Sequence, residues 1–210
     1  MVSDMDSYLP HHRNQLKIPP SSEHQLLRSD EEEADRIELK NDLVKLAFEG
    51  EFSLPFDYSD LKSGRILDVG CGPGSWCIDL STKYPQLQVI GVDSDDMFPS
   101  QLSLPSNCQL LVCNVLHGLR EFPDASFDII HIRFMVLAFT TRQYYQVVKD
   151  CWRLLKPGGY LEILETDLTV YSAGPVTKKL NQERNVCHTL TMYSFYIYIS
   201  SARCSHKSRY

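Results

Sequence analysis

Three glycines in five residues, Gly70, Gly72 and Gly74, follow a carboxylate, Asp68, near the end of the short apolar run Ile66 to Val69. Glycine removes every side chain that would hold a ligand away from the backbone, and the N–H groups of a helix opening beyond such a turn attract negative charge. The turn Gly70, Cys71, Gly72, Pro73 and Gly74 therefore suits a small anionic or zwitterionic ligand seated above it. The plainer alternative is a structural turn, since any strand-to-helix connection needs one glycine for geometry alone. A dinucleotide fingerprint would place its third glycine at Ser75, whereas here it falls at Gly74. Asp68 also opposes a pyrophosphate, which it would repel, and favours a ligand carrying an ammonium group.

A second acid, Asp93, stands 23 residues beyond Gly70, after another apolar run. A carboxylate at that distance, at the end of a neighbouring strand, can accept hydrogen bonds from both hydroxyls of a ribose. It also suits a helix N-cap, a role that Ser94 or Asp95 can take instead. Farther along, His131 and Arg133 stand at and just past the end of a fourth apolar run, on the ligand side, and are candidates for the reacting region. His131, Glu165 and Tyr171 are the candidate general bases, although a histidine at a strand end is equally explained by structural hydrogen bonding.

These residues need a scaffold, and the apolar pattern supplies one. Ser29 and Glu32 have capping-box spacing, and Ala34, Ile37, Val44 and Ala47, with Leu39, Leu43 and Leu46 beside them, predict a helix from about Asp30 to Phe48 with an apolar stripe on the sheet. A connection from Gly50 to Gly64 leads to a first strand at Ile66 to Val69, then a helix from Ser75 to Tyr84 that ends before Pro85. Strands follow at Gln88 to Val92, Asn107 to Val112, Phe127 to His131 and Tyr160 to Leu164. A short helical run after Asp93 would place Met97 one turn on, and Cys113, Asn114 and Val115 leave the end of the third strand. Thr140 and Gln143 again have capping-box spacing, for a helix from Thr141 to Leu155 stopped by Lys156-Pro157-Gly158-Gly159. Alternating strands and helices predict an α/β fold: an open, mostly parallel twisted sheet that binds ligands at the carboxyl ends of its strands.

A chain of 210 residues suits one main domain. A net charge of -6 and a pI near 5.6 offer no broad basic face, so nucleic acid is not an expected partner. No stretch approaches a membrane span and the N-terminus shows no signal peptide. Seven cysteines without a Cys-x-x-Cys pair fit reduced thiols in a cytoplasmic or nuclear compartment, and no metal is expected.

LDVGCGPG followed by GVD, with EEEADRIELK upstream and GSWCIDLSTKYPQLQVIGVDSDDMFP, FDIIHIRF and LKPGGYLEILE, resembles the class I S-adenosylmethionine-dependent methyltransferases, in particular their fungal branch, over Gln25 to Gln182. The resemblance implies a Rossmann-like methyltransferase sheet, S-adenosylmethionine as cofactor, and a small-molecule or protein methyl acceptor that the chain does not identify. It further implies that the first helix roofs the cofactor pocket. Asn114 stands where many relatives carry an adenine-binding Asp and can accept from the adenine amino group while donating to a ring nitrogen. Met97 could pack on an adenine face.

On this reading residues 1–28 are a flexible tail, 29–185 the methyltransferase domain and 186–210 an atypical tail. Complete relatives carry a helix and two more strands after the fifth, yet here only Thr191 to Ser200 reads as a strand, so strands six and seven are expected to be incomplete. That leaves two rivals to catalysis, a non-catalytic regulatory protein retaining the fold and, more distantly, a nicotinamide-dependent oxidoreductase.

Overall fold

A computed structural model of the chain describes residues 31–47, 58–165, 171–187 and 199–200. The expected tail at residues 1–28, the capping serine at 29 and most of the strand expected over 191–200 lie outside them.

The elements run α1 (Glu31–Ala47), β1 (Gly64–Val69), α2 (Ser75–Lys83), β2 (Leu87–Asp93), β3 (Cys108–Val112), α3 (Val115–Gly118), β4 (Phe127–Arg133), α4 (Thr141–Leu154), β5 (Leu155–Leu164), α5 (Pro175–Cys187) and β6 (Ile199–Ser200). The sheet order is β3-β2-β1-β4-β5-β6, with every neighbour pair from β3 to β5 parallel. The order reverses between β1 and β4, the position where open α/β sheets bind ligands. The predicted fold class is therefore observed. β6 pairs antiparallel with β5 through Tyr160 with Ser200 and Leu161 with Ile199.

Side-chain alternation along the strands sends apolar groups to both faces, as a covered parallel sheet requires. Ile66, Val89 and Ile129 pack with Trp76, Cys77 and Leu80 of α2 on one face. Leu67, Val69, Ile90, Val92, Ile130, Ile132, Leu161 and Ile163 pack on the other, with Val147, Cys151 and Leu154 of α4. Asp68 and His131 follow the α2-side residues Ile66 and Ile129 by two positions, so both enter the α2 layer.

Two departures from expectation have local reasons. β5 begins at Leu155, because the chain leaves α4 directly in extended conformation (φ -70°, ψ 134°) instead of ending in a glycine turn. A register irregularity between Phe127 and Ile129 lets Lys156 to Gly159 join the strand as an uneven edge. No helix follows Asp93. The connection to β3 is irregular apart from one 3-10 turn, Gln101–Ser103, capped by Ser100, so Met97 does not sit on a helix.

Candidate functional site

The glycine turn joins β1 to α2 with Gly70, Gly72 and Gly74 at φ 75°, 57° and 86°. Only glycine adopts these angles at no steric cost. Neighbours reinforce the demand: a Cβ on Gly70 would strike the Met135 side chain, and one on Gly74 would strike Leu110. The N–H groups of the turn itself are used internally, which leaves the expectation of donors aimed at a ligand to the first turn of α2. Gly70 and Cys71 donate to the Val92 carbonyl at 2.8 and 3.1 Å, and Gly74 donates to the Cys71 carbonyl at 3.1 Å. The buried Cys71 and Pro73 line the turn and offer no polar side chain.

Asp93 ends β2 and braces the same turn. Its Oδ2 accepts the Gly72 N–H at 2.8 Å and its Oδ1 accepts the Asp95 N–H at 3.1 Å. Burial raises its pKa, while those backbone donors pull it down. Ser94 is exposed and Met97 half-buried. Next along the sheet edge, the Cys113 N–H donates to the Asp93 carbonyl at 2.6 Å, which sets Asn114 beside the acid. Asn114 caps α3, its Oδ1 accepting the Leu116 N–H at 3.0 Å. The amide oxygen expected to meet adenine thus has a structural partner, and the NH2 group is the part left for a ligand. Val115 is buried in the core.

Asp68 departs furthest from expectation. Its carboxylate is buried, 3% exposed, and both oxygens have protein partners. His131 Nδ1 lies 2.8 Å from Oδ1, and the Cys77 thiol donates to Oδ2 at 3.3 Å. The Trp76 ring stacks on His131, 4.0 Å between centroids and 9° from parallel. On the side towards Asp93, the Cys71 and Cys77 thiols fill the space over Gly91, the Asp68 partner on β2. Asp68 is an internal tie between β1, β4 and α2, not a ligand clamp. His131, locked against it, is not placed as a general base.

At the other end of the site, Glu165 is saturated as well. It accepts the Met135 N–H at 3.0 Å, the Val136 N–H at 3.1 Å and the Tyr144 hydroxyl at 2.7 Å. Burial raises its pKa against these donors, and burial, reinforced by the Glu165 contact, drives the Tyr144 hydroxyl far above its ordinary range. Glu165 therefore pins the segment following β4. Tyr171 stands 70% exposed in the turn before α5.

α1 lies over the glycine turn, as the family resemblance implied. Ile37 reaches within 3.4 Å of where a Gly72 Cβ would be. Arg133 donates to Asn41 Oδ1 at 2.8 Å, and Lys45 pairs with Asp79 of α2 at 2.5 Å. Lys40 Nζ sits 3.4 Å from the centroid of the Phe134 ring. Lys40, Asn41, Phe134, Met135 and Tyr144 were not singled out from sequence. The signal for the first two was present: Lys40 and Asn41 stand three and four residues after Ile37, on the face predicted to cover the sheet. The Leu39, Leu43 and Leu46 group, by contrast, points outward at 62%, 57% and 78% exposure.

The donor set at β2 and β3 fits a nucleoside. A carboxylate offers about four lone-pair sites, and Asp93 has committed two. Asn114 keeps its amide NH2, and no side chain rises from Gly70, Gly72 or Gly74 between them and α1.

Comparison with known proteins agrees. Residues 66–159 match the methyltransferase domain family. The N-methyltransferase verN of Clonostachys rogersoniana is 26% identical over 176 residues, 83% of this chain and 61% of that protein. The secondary metabolism regulator laeA of Aspergillus fumigatus is 30% identical over 144 residues, 68% of this chain and 36% of that protein. The chain thus spans less than two thirds of the length of these relatives. The crystal structure of a SAM-dependent methyltransferase from Archaeoglobus fulgidus superposes with a TM-score of 0.51 at 18% identity, covering 74% of this chain and 73% of that one, and shares the fold. Glycine turn, terminal acid of β2, strand order and family match converge: residues 66–159 are a methyltransferase domain, of the class I type that uses S-adenosylmethionine as cofactor.

Proposed function

We propose that this protein binds S-adenosylmethionine across the ends of β2, β1 and β4 and moves its methyl group to a small-molecule or protein acceptor. The observation carrying this reading is Asp93, a buried-edge carboxylate that braces the glycine turn through Gly72 and retains acceptor capacity for a ribose. When bound, the cofactor supplies an electrophilic sulfonium methyl, so the protein needs no nucleophile of its own. Its residues bind, orient and exclude water. Asp93 accepts from the ribose hydroxyls, the Asn114 NH2 donates to a ring nitrogen, and α1 covers the turn through Ile37. Holding the acceptor in line, about 3 Å from the methyl carbon, is the main rate contribution such a site makes.

A regulatory role is the second reading, favoured by the similarity to proteins named secondary metabolism regulators. It uses the same cofactor site and differs in the outcome of binding. Titration of purified protein with S-adenosylhomocysteine and NADH, side by side in a calorimeter, tests the cofactor assignment common to both. Binding of the nucleoside thioether alone is expected. Binding of NADH alone would transfer the site to oxidoreductase chemistry.

A further inference from the structure

We propose that Lys40 and Arg133, gathered around the Phe134 ring at the end of β4, form an anion site that takes a carboxylate of the methyl acceptor. The inference rests on the methyltransferase reading and adds the acceptor's charge. Two cations converge, and the carboxylates that act on them, Glu165 and Glu33 on Lys40 and Asp68, Glu162 and Asp79 on Arg133, all stand beyond ion-pair distance among the described residues. Lys40 Nζ lies over the face of Phe134, and the Arg133 guanidinium carbon is 5.5 Å from the same centroid. Both side chains are half-buried. Among the described residues neither makes an ion pair, and the one hydrogen bond of the Arg133 side chain, from a group with five N–H donors, goes to the neutral Asn41.

Four of these carboxylates have closer partners: Asp68 is held by His131 and Asp79 by Lys45. Glu33 accepts from both Arg36 Nε and Arg36 Nη2 at 2.6 Å. Glu165 has two backbone N–H groups and the Tyr144 hydroxyl on its oxygens. The cost of the arrangement shows on Lys40, whose pKa burial and the charges of Arg36 and Arg133 push down to about 8 despite Glu165 and Glu33. Buried charges are ordinarily paired, and cations kept close without a partner await an anion. Backbone strain supports a functional cause: Phe134 holds φ 60°, a left-handed conformation that bulky residues rarely adopt and that clusters at ligand sites.

Charge balance selects the acceptor as the anion's source. The cofactor carries a sulfonium, an ammonium and one carboxylate, net +1, so its own carboxylate leaves a surplus of positive charge beneath α1. An acceptor bearing a carboxylate removes that surplus and docks two strands from Asp93 in the sheet order, on the far side of the switch point.

Calorimetry on wild-type, Lys40→Met and Arg133→Met proteins tests the proposal. S-adenosylhomocysteine and 5′-methylthioadenosine, which lacks the amino-acid end, probe the cofactor. Succinate and its uncharged diamide, added to protein saturated with S-adenosylhomocysteine, probe the anion site. Succinate should bind wild type at least about tenfold more tightly than the diamide, and either substitution should remove that preference while the ratio of the two nucleoside affinities stays within about twofold. Equal binding of succinate and diamide to wild type, a comparison needing no variant, would overturn the proposal. So would collapse of the nucleoside ratio in both variants, which would give the cations to the cofactor's own carboxylate. Wild type that fails to bind S-adenosylhomocysteine at all would instead sink the cofactor reading beneath it.

Discussion

Asp68 and Asp93 are two aspartates one strand apart in the sheet, and their surroundings give them opposite work. Each has a protein partner on both oxygens, but Asp93 is half-buried at the rim, bonded to the backbone of Gly72 and Asp95, whereas Asp68 is buried, 3% exposed, against His131 and Cys77. Breaking a buried pair strands a charge or a polar ring, at about 3 to 5 kcal/mol. Asp68→Ala should therefore lower the unfolding free energy by about 3 kcal/mol in urea titration, and a loss below about 1 kcal/mol would contradict the role of tie. Lys40 makes a prediction of another kind. Its folded pKa, about 8, lies below the ordinary 10.5. Between those values the unfolded chain binds more protons than the folded one, so stability contributed by this group rises with pH across that window and is deficient below it. Lys40→Met should flatten the rise between pH 8 and 10.5 and stabilise the ligand-free protein at about pH 7, read as denaturation midpoints at each pH.

Elements were more legible in the sequence than the contacts between them. The capping box at α4 was read from two letters and is present in both directions: Gln143 N–H donates to Thr140 Oγ1 at 3.4 Å, and the Thr140 N–H donates to Gln143 Oε1 at 2.8 Å. Thr140→Ala should cost about 1 kcal/mol. The glycine turn was legible too, though its cause was misread in part. Gly74 is required by its φ of 86° and by Leu110 of β3 packing where a Cβ would stand, neither of which involves a ligand. Gly74→Ala should therefore cost more than about 1 kcal/mol even in cofactor-free protein, measured by thermal unfolding. The helix predicted after Asp93 failed because Asx-rich and proline-punctuated residues there satisfy their backbone locally, with Asp93 itself accepting the Asp95 N–H.

At the scale of the molecule, the parallel order and the switch point came from strand and helix alternation, because covered parallel strands leave long apolar runs in the sequence. The pairing of Asp68 with His131, 63 residues apart, left no such trace. Nor did the position of Lys40 over Phe134, which depends on how α1 is laid across the sheet. The whole arrangement implies a nucleoside site whose sugar end is set by β2 and whose reacting end is roofed by α1. Calorimetric titration of S-adenosylhomocysteine into wild-type, Asp93→Asn and Asp93→Ala proteins reads that site most directly. Each hydrogen bond to a charged group is worth roughly 1.5 to 3 kcal/mol, so both substitutions should weaken binding by at least about tenfold, with Asp93→Asn retaining the wild-type circular dichroism spectrum. Unchanged affinity in folded Asp93→Asn protein would remove the acid from the site and, with it, the placement of the cofactor.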